Sequence, residues 1–144
     1  MTSADQNKAL VRRFYEEIDK GNIAICDELV AENYLDHNPP PFPTSLAGRE
    51  RLKQDFRIFL TATPGYHVIE DQIAEGDKVV TRLTSYGRHD GDLPGAPRTG
   101  NEMKMTSITI HRVANGKLAE KWSEKDMIGL LTQIGVMPAM HAKA

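Results

Sequence analysis

Cysteine is nearly absent from this sequence. Cys26 is the only one among 144 residues, so an intrachain disulfide cannot form, and zinc or iron–sulfur sites built on several cysteines lack their ligands. The sequence also has no Gly-rich phosphate loop, nucleophile elbow, His-x-x-x-His pair or Walker motif. These absences exclude several common cofactor sites and are compatible with a reducing cytoplasm.

Excess charge and long apolar runs are missing as well. The 18 basic and 20 acidic residues give a formal net charge of -2, which supplies no field to attract nucleic acid or an anionic membrane. No segment approaches the length of a membrane span, and residues 1–8 lack the apolar core of a signal peptide. We therefore expect a cytoplasmic protein whose partner is a small organic molecule.

What is present fits one domain, with a core over about residues 4–135 and a loose tail over 136–144. Apolar residues recur at helical spacing over 4–20, 23–31 and 48–62, and again over 126–134. Between the second and third of these segments, the prolines of 39–43 predict an ordered, irregular loop. The chain thus begins with three predicted helices.

From residue 66 the apolar period changes to two. Strands are predicted over 66–74, 79–86, 103–113 and 117–124. A tight turn at 75–78 joins the first pair, and a three-residue loop, Ala114-Asn115-Gly116, joins the second. Helices followed by antiparallel strands predict an α+β fold in which a curved antiparallel sheet wraps over the N-terminal helices and leaves a pocket beneath them.

The three-residue loop predicts which side chains share a face of the last hairpin. It pairs Thr109 with Lys121 and Ser107 with Ser123, so that these four side chains form a hydroxyl-rich face. A two-residue loop would shift the register and regroup them. The opposite face carries more apolar residues than a solvated face usually does, which predicts a homodimer through the sheet. Its members on these strands are Ile108, Ile110, Glu120 and Trp122.

His89 stands where the strand over 79–86 gives way to a loop rich in glycine and proline. A side chain at a strand end can reach a ligand while the sheet holds it in place, and histidine titrates near neutral pH. His89 is therefore a candidate for proton transfer. The alternative is a histidine that only bonds to the backbone of its own loop.

The other candidate site residues could also have purely structural roles. His37 follows Asp36, whose carboxylate could orient the imidazole, but adjacent residues of an extended chain point apart, and the pair could simply stabilise a turn. Lys121 in a desolvated pocket could act as a base or an amine nucleophile, or it could extend to solvent. His67 and His111 are interpreted as satisfied or half-exposed strand residues.

Several segments together carry a resemblance that spans nearly the full chain. They are Asp36-His37, Ile73-Ala74-Glu75-Gly76-Asp77, Tyr86-Gly87-Arg88-His89, Asn115-Gly116-Lys117 with Trp122, and Asp126-Met127-Ile128-Gly129-Leu130-Leu131. In these and in the order of its elements, the chain resembles the SnoaL-like polyketide cyclases (ester cyclases) of the nuclear transport factor 2-like superfamily. The resemblance implies a cone-shaped α+β fold, a dimer through the sheet, and aldol ring closure on a polyketide ester without metal or organic cofactor.

The resemblance also implies where the chemistry lies, and there this chain departs from the family. The family's acid/base aspartate falls at Ser123, and its partner histidine falls at Thr109. A serine hydroxyl alone is too weak an acid or base near neutral pH. We therefore predict His89 first and His37 second as acid/base groups, with Lys121 and Glu124 as alternatives. The predicted substrate-binding residues are Tyr34, Thr109, Lys121, Trp122 and Ser123. The alternative function is a non-catalytic small-molecule-binding protein.

Overall fold

A computed structural model describes residues 2–138. Helix α1 (Ala4–Asp19) begins at a capping box, in which the Gln6 amide donates to Ser3 Oγ at 3.1 Å and the Ser3 amide donates to Gln6 Oε1 at 2.9 Å. One stripe of the helix is buried, since its apolar side chains recur every three or four residues. The buried apolar residues are Val11, Phe14, Tyr15 and Ile18.

The second predicted helix is shorter than expected. A 3₁₀ turn (Ile23–Ile25) and helix α2 (Cys26–Leu29) are followed at once by strand β1 (Val30–Asp36). The prediction of a helix to residue 31 was wrong, and β1 was not predicted. Its residues do not alternate between apolar and polar, because the strand is fixed by pairing with a distant strand rather than by its own pattern.

The remaining elements follow the predicted order. Helix α3 (Gly48–Ala62) precedes strands β2 (Gly65–Glu75), β3 (Lys78–Arg88), β4 (Glu102–Ala114) and β5 (Lys117–Lys125), and helix α4 (Met127–Gln133) comes last. The sheet has the order β1-β5-β4-β3-β2, with β1 parallel to β5 and the other pairs antiparallel. This confirms the expected α+β fold with a curved sheet over N-terminal helices.

The β4–β5 hairpin differs from the prediction in its turn. Asn115 and Gly116 form a two-residue turn with φ of 53° and 74°, the left-handed conformation that such a turn requires. A bulge at Ala119 then pairs Thr109 with Ser123, so the predicted pairing of Thr109 with Lys121 was wrong. Beyond the bulge the error is two residues, so Lys121 and Ser123 keep their predicted face. Before the bulge the error is one residue, and the buried Leu118 lies opposite Val113.

The two faces of the sheet have different surroundings. Helix α1 packs on β2 and β3, and α3 packs on β1, so one face, here called the inner face, lies under the helices. The apolar core fills much of the space between them, and its largest fully buried members are Ile18, Leu118, Val11, Val30 and Val79. The opposite, outer face is left uncovered by these helices. Among residues 2–138, no helix is both long and apolar enough to cross a membrane.

Candidate functional site

A row of hydroxyls crosses the inner face. Thr81 on β3 is the register partner of Thr109 on β4, which is in turn the partner of Ser123 on β5. All three side chains are buried. His111 lies two residues beyond Thr109 on the same face, opposite Lys121. The interior therefore contains polar groups where the neighbouring residues are apolar.

Several of these polar atoms have no hydrogen-bond partner within residues 2–138. They are Thr109 Oγ1, Ser123 Oγ and both ring nitrogens of His111. Buried polar groups are nearly always paired, and each unpaired one costs roughly 1–3 kcal/mol. Four such atoms on adjacent strands mark a place where a ligand or ordered water would complete the hydrogen bonding. We call Thr109, His111 and Ser123 the inner polar site.

The imidazole of His111 is fully buried. Its ring packs edge-on against those of Phe14 and Tyr15, with centroids 6.5 and 6.2 Å away. Burial lowers the pKa of His111 to about 3, and the charge of Lys121 contributes to the decrease. At neutral pH the ring is therefore uncharged, with one N–H to donate and one nitrogen to accept a hydrogen bond.

Two tyrosines add further protonated groups. Burial raises the pKa of Tyr15, and the nearby Thr109 hydroxyl opposes part of this rise, although Thr109 Oγ1 forms no hydrogen bond of good geometry with the described residues. Burial also raises the pKa of Tyr34, with Asp36 as the next cause. Both hydroxyls consequently keep their protons near neutral pH and can donate hydrogen bonds.

Charged side chains lie beside the inner polar site. The Lys121 ammonium is 3.6 Å from Asp36 Oδ2, and both side chains are less than 15 % exposed. On α3, Asp55 is 5 % exposed, and burial raises its pKa while Arg51 opposes the rise. Burial and the charge of Lys121 lower the pKa of Lys125. Within residues 2–138, no three His, Cys, Asp or Glu side chains group closely enough to hold a metal ion.

The structure brings together four of the residues that the sequence predicted. Thr109 and Ser123 belong to the inner polar site, and Lys121 and Tyr34 lie beside it. Lys121 is paired with Asp36 rather than extended into solvent. Ser107, which was predicted to share the face of Thr109, Lys121 and Ser123, is also buried there.

His37 and Trp122 lie on the outer face. Their rings stack with centroids 4.7 Å apart and an interplanar angle of 5°. His37 Nε2 is 2.6 Å from Glu120 Oε2, and the other oxygen of Glu120 accepts from Arg112 Nε at 2.8 Å. Because Asp36 contacts Lys121 on the inner face, Asp36 and His37 point apart as expected. The sheet thus separates His37 and Trp122 from the inner polar site.

His89 is enclosed by its own loop. The side chain is fully buried, with Nδ1 3.0 Å from Thr99 Oγ1 and Nε2 3.2 Å from the Ala96 carbonyl oxygen. The carbonyl can only accept, so Nε2 carries a proton. The main chain adds two more bonds, from the His89 amide to Asn101 O and from the Gly100 amide to His89 O. Both ring nitrogens are therefore occupied inside the loop.

Sequence reasoning missed two residues of the interior. His111 lies two residues after Thr109 on the same predicted strand, so strand alternation places both side chains on one face. Asp55 lies three residues after the buried Leu52 of α3 and hence on its buried stripe. The interpretation of His111 as satisfied or half-exposed was wrong, because the ring is fully buried and neither nitrogen has a partner within residues 2–138. An aspartate in a helix is usually solvent-facing.

Comparisons with known proteins agree with the fold. The family model for the SnoaL-like polyketide cyclase matches residues 9–134. The aklanonic acid methyl ester cyclase DnrD of Streptomyces peucetius is 30% identical over 133 residues, which cover 88% of each chain. The structure of TsrD from Streptomyces laurentii is similar with a TM-score of 0.84 at 26% identity, over 95% of this chain and 100% of TsrD. Wild-type IdmH from Streptomyces antibioticus gives a TM-score of 0.76 at 26% identity, over 90% and 99%.

Proposed function

Because this chain belongs to the SnoaL-like polyketide cyclase family, we propose that it catalyses an aldol cyclisation or isomerisation of a carbonyl-bearing, polyketide-like small molecule. The reaction uses acid/base chemistry and no cofactor. It takes place at the inner polar site. The observation that carries this proposal is the set of buried atoms on Thr109, His111 and Ser123 that have no hydrogen-bond partner within residues 2–138, since a substrate's carbonyl oxygens would supply such partners.

The inner polar site is suited to hold an enolate. When a base removes the proton next to a carbonyl, the electron pair of the C–H bond moves to the carbonyl oxygen, which becomes negative. Hydroxyls of Thr109 and Ser123 and the N–H of the neutral His111 ring can donate to that oxygen in a water-poor interior, where such bonds are strong. The enolate carbon then attacks a second carbonyl of the same molecule, and the resulting alkoxide takes up a proton. The product is an isomer of the substrate.

The reaction also requires a group that accepts and returns a proton. Ser123 and Thr109 stand where the resemblance places the family's aspartate and histidine. The assignment of this role to His89 and His37 stays a prediction. His89 has both ring nitrogens paired within its loop, and His37 is bonded to Glu120 across the sheet from the inner polar site. We propose that His111 contributes as a hydrogen-bond donor.

Thr109→Val tests this function. We expect a 100-fold or larger decrease in kcat/KM, because removing one donor to a developing oxyanion costs about 10²–10³ in rate. The assay incubates the protein with aklanonic acid methyl ester, on which the relative DnrD acts by its name, and with simpler β-keto esters, and follows a product of unchanged mass by chromatography. Thr106→Val is the matched control, since Thr106 is an exposed threonine of the same strand. Equal rates for both variants and the unmodified protein would contradict the proposal.

The second candidate function is non-catalytic binding of a small molecule. The observation that favours it is the replacement of the family's acid/base pair by two hydroxyl residues, Thr109 and Ser123, which suit hydrogen bonding better than proton transfer. Equilibrium dialysis tests this function with the same esters. Binding without turnover, at an affinity that Thr109→Val lowers, would support it.

We also propose a homodimer through the outer face of the sheet. Large apolar side chains are exposed there, including Ile73 at 64 % and Ile108 at 50 %, and such a patch favours association. The stacked pair of His37 and Trp122 lies on the same face. A cytoplasmic location and the lack of a nucleic-acid or membrane partner stay predictions.

A further inference from the structure

The proposed reaction needs a group that accepts the proton next to the substrate's carbonyl. None of the inner polar site's members suits this role well. The hydroxyls of Thr109 and Ser123 are too weakly basic without a partner. The lowered pKa of His111 makes its ring a poor proton acceptor. The base must therefore be another group of the interior.

Asp55 is a buried carboxylate on α3, the helix that packs on β1 at the edge of the sheet next to β5. Its Oδ2 is 3.6 Å from Arg51 Nε. Its Oδ1 is buried and makes no hydrogen bond to any part of the chain that the structure describes. A carboxylate normally uses both oxygens when it is buried. One oxygen of Asp55 thus remains available to a ligand.

The surroundings of Asp55 connect it to the inner polar site. It interacts electrostatically with Asp36 and Tyr34 of β1 and with Lys121 and Lys125 of β5. Lys121 is opposite His111 in the sheet, and Lys125 is two residues beyond Ser123 on the same face. The charges of Lys121 and Lys125 thus act on Asp55 from the strand that carries Ser123.

Contacts on α3 hold the carboxylate in position. Arg51 lies one turn before Asp55, and its guanidinium donates to the Pro40 carbonyl oxygen at 2.7 Å. The loop that follows β1 thereby fixes Arg51, which in turn limits the movement of Asp55 Oδ2. A base held in this way needs little reorganisation when the reaction occurs.

We propose that Asp55 is the general base of the reaction, in place of the aspartate that the family carries at the position of Ser123. This inference rests on the proposed function. Asp55 Oδ1 takes the proton as the C–H bond breaks, and the electron pair passes to the enolate held by the inner polar site. After the new C–C bond forms, the protonated carboxyl returns its proton to the alkoxide. Burial raises the pKa of Asp55, which makes it a stronger base than an exposed aspartate.

The test separates the first proton transfer from ring closure. In D₂O, the unmodified protein should accelerate exchange of the single proton on the carbon between the two carbonyls of ethyl α-methylacetoacetate, measured by NMR. Asp55→Asn should lower this catalysed exchange at least 100-fold, with the Kd for the ester changed less than threefold. Glu50→Gln is the matched control, because Glu50 is an exposed acid of the same helix.

A conservative variant distinguishes chemistry from packing. Asp55→Glu keeps a carboxylate and should retain more of the exchange than Asp55→Asn, while both should show the far-UV circular dichroism of the unmodified protein. Exchange in Asp55→Asn above a tenth of the unmodified rate would overturn the assignment of Asp55. So would equal losses in the two variants, or a loss of ester affinity as large as the loss of rate. If the unmodified protein accelerates neither exchange nor turnover, the proposed function itself fails.

Discussion

His111→Leu should make the protein more stable, and the gain should be largest in acid. Both ring nitrogens of His111 are buried without a hydrogen-bond partner in residues 2–138. An unsatisfied buried polar group costs about 1–3 kcal/mol, whereas a leucine of similar volume has none. We therefore expect the variant to gain about 1–3 kcal/mol in free energy of unfolding at pH 7.

The larger effect comes from proton binding. In the folded protein the pKa of His111 is lowered from 6.5 to about 3, so between these values the unfolded chain binds a proton that the folded chain does not. Stability is lost as pH falls through this window, at about 1.4 kcal/mol per pH unit. Above pH 6.5 the ring is neutral in both states and this contribution does not change.

Urea denaturation at pH 7 and pH 4.5 measures both effects. The unmodified protein should lose about 2–3 kcal/mol more than His111→Leu between these pH values. Taking the difference between the proteins removes the titration of their shared carboxylates. His37→Leu is the control, because His37 is partly exposed on the outer face. Parallel pH dependences for the unmodified protein and His111→Leu would show that the His111 ring is not held neutral.

His89→Ala has the second large expected effect, which is on stability. The side chain is fully buried and bonds to Thr99 Oγ1 and to the Ala96 carbonyl. Its removal leaves a cavity and unpairs the carbonyl oxygen of the buried Ala96, so we expect a loss of about 2–4 kcal/mol. The loop over 89–101 should loosen, while the inner polar site keeps its residues. The rate per folded molecule should then stay within about threefold, since the expected loss of free energy is in folding.

Two measurements on the same variant decide between the readings of His89. Thermal unfolding reports stability, and turnover below the unfolding temperature reports chemistry. Arg98→Ala serves as the control, because Arg98 is exposed in the same loop. If His89→Ala instead unfolds like the unmodified protein and loses activity 100-fold or more, the sequence-based hypothesis of a catalytic His89 gains support and the structural role is wrong.

Much of the fold could be predicted from periodicity alone. The stripe of α1 and the alternation of β3 and β4 are local patterns, and local patterns persist in the structure. Strand β1 could not be predicted, because its conformation depends on parallel pairing with β5, some ninety residues away. The hairpin register depends on one bulge at Ala119, and no side-chain pattern in the sequence indicates that bulge.

In the candidate site, too, local patterns could be predicted and contacts between distant elements could not. Thr109, Lys121 and Ser123 were found because strand parity survives a register error of two residues. The sequence analysis predicted that Trp122 binds substrate, but strand alternation puts its side chain on the outer face with His37. His111 and Asp55 share the strand parity and helix stripe of buried neighbours, but their burial depends on packing between distant elements, which these local patterns do not specify.

Histidine NMR in the presence of a ligand tests the central claim most directly. The claim is that a carbonyl compound binds at Thr109, His111 and Ser123. We predict that the His111 ring nitrogens keep the shifts of a neutral imidazole from pH 5 to pH 8, as its pKa of about 3 requires. They should change on addition of aklanonic acid methyl ester, while those of His37 do not. A response of His37 or His89 without any response of His111 would contradict the account.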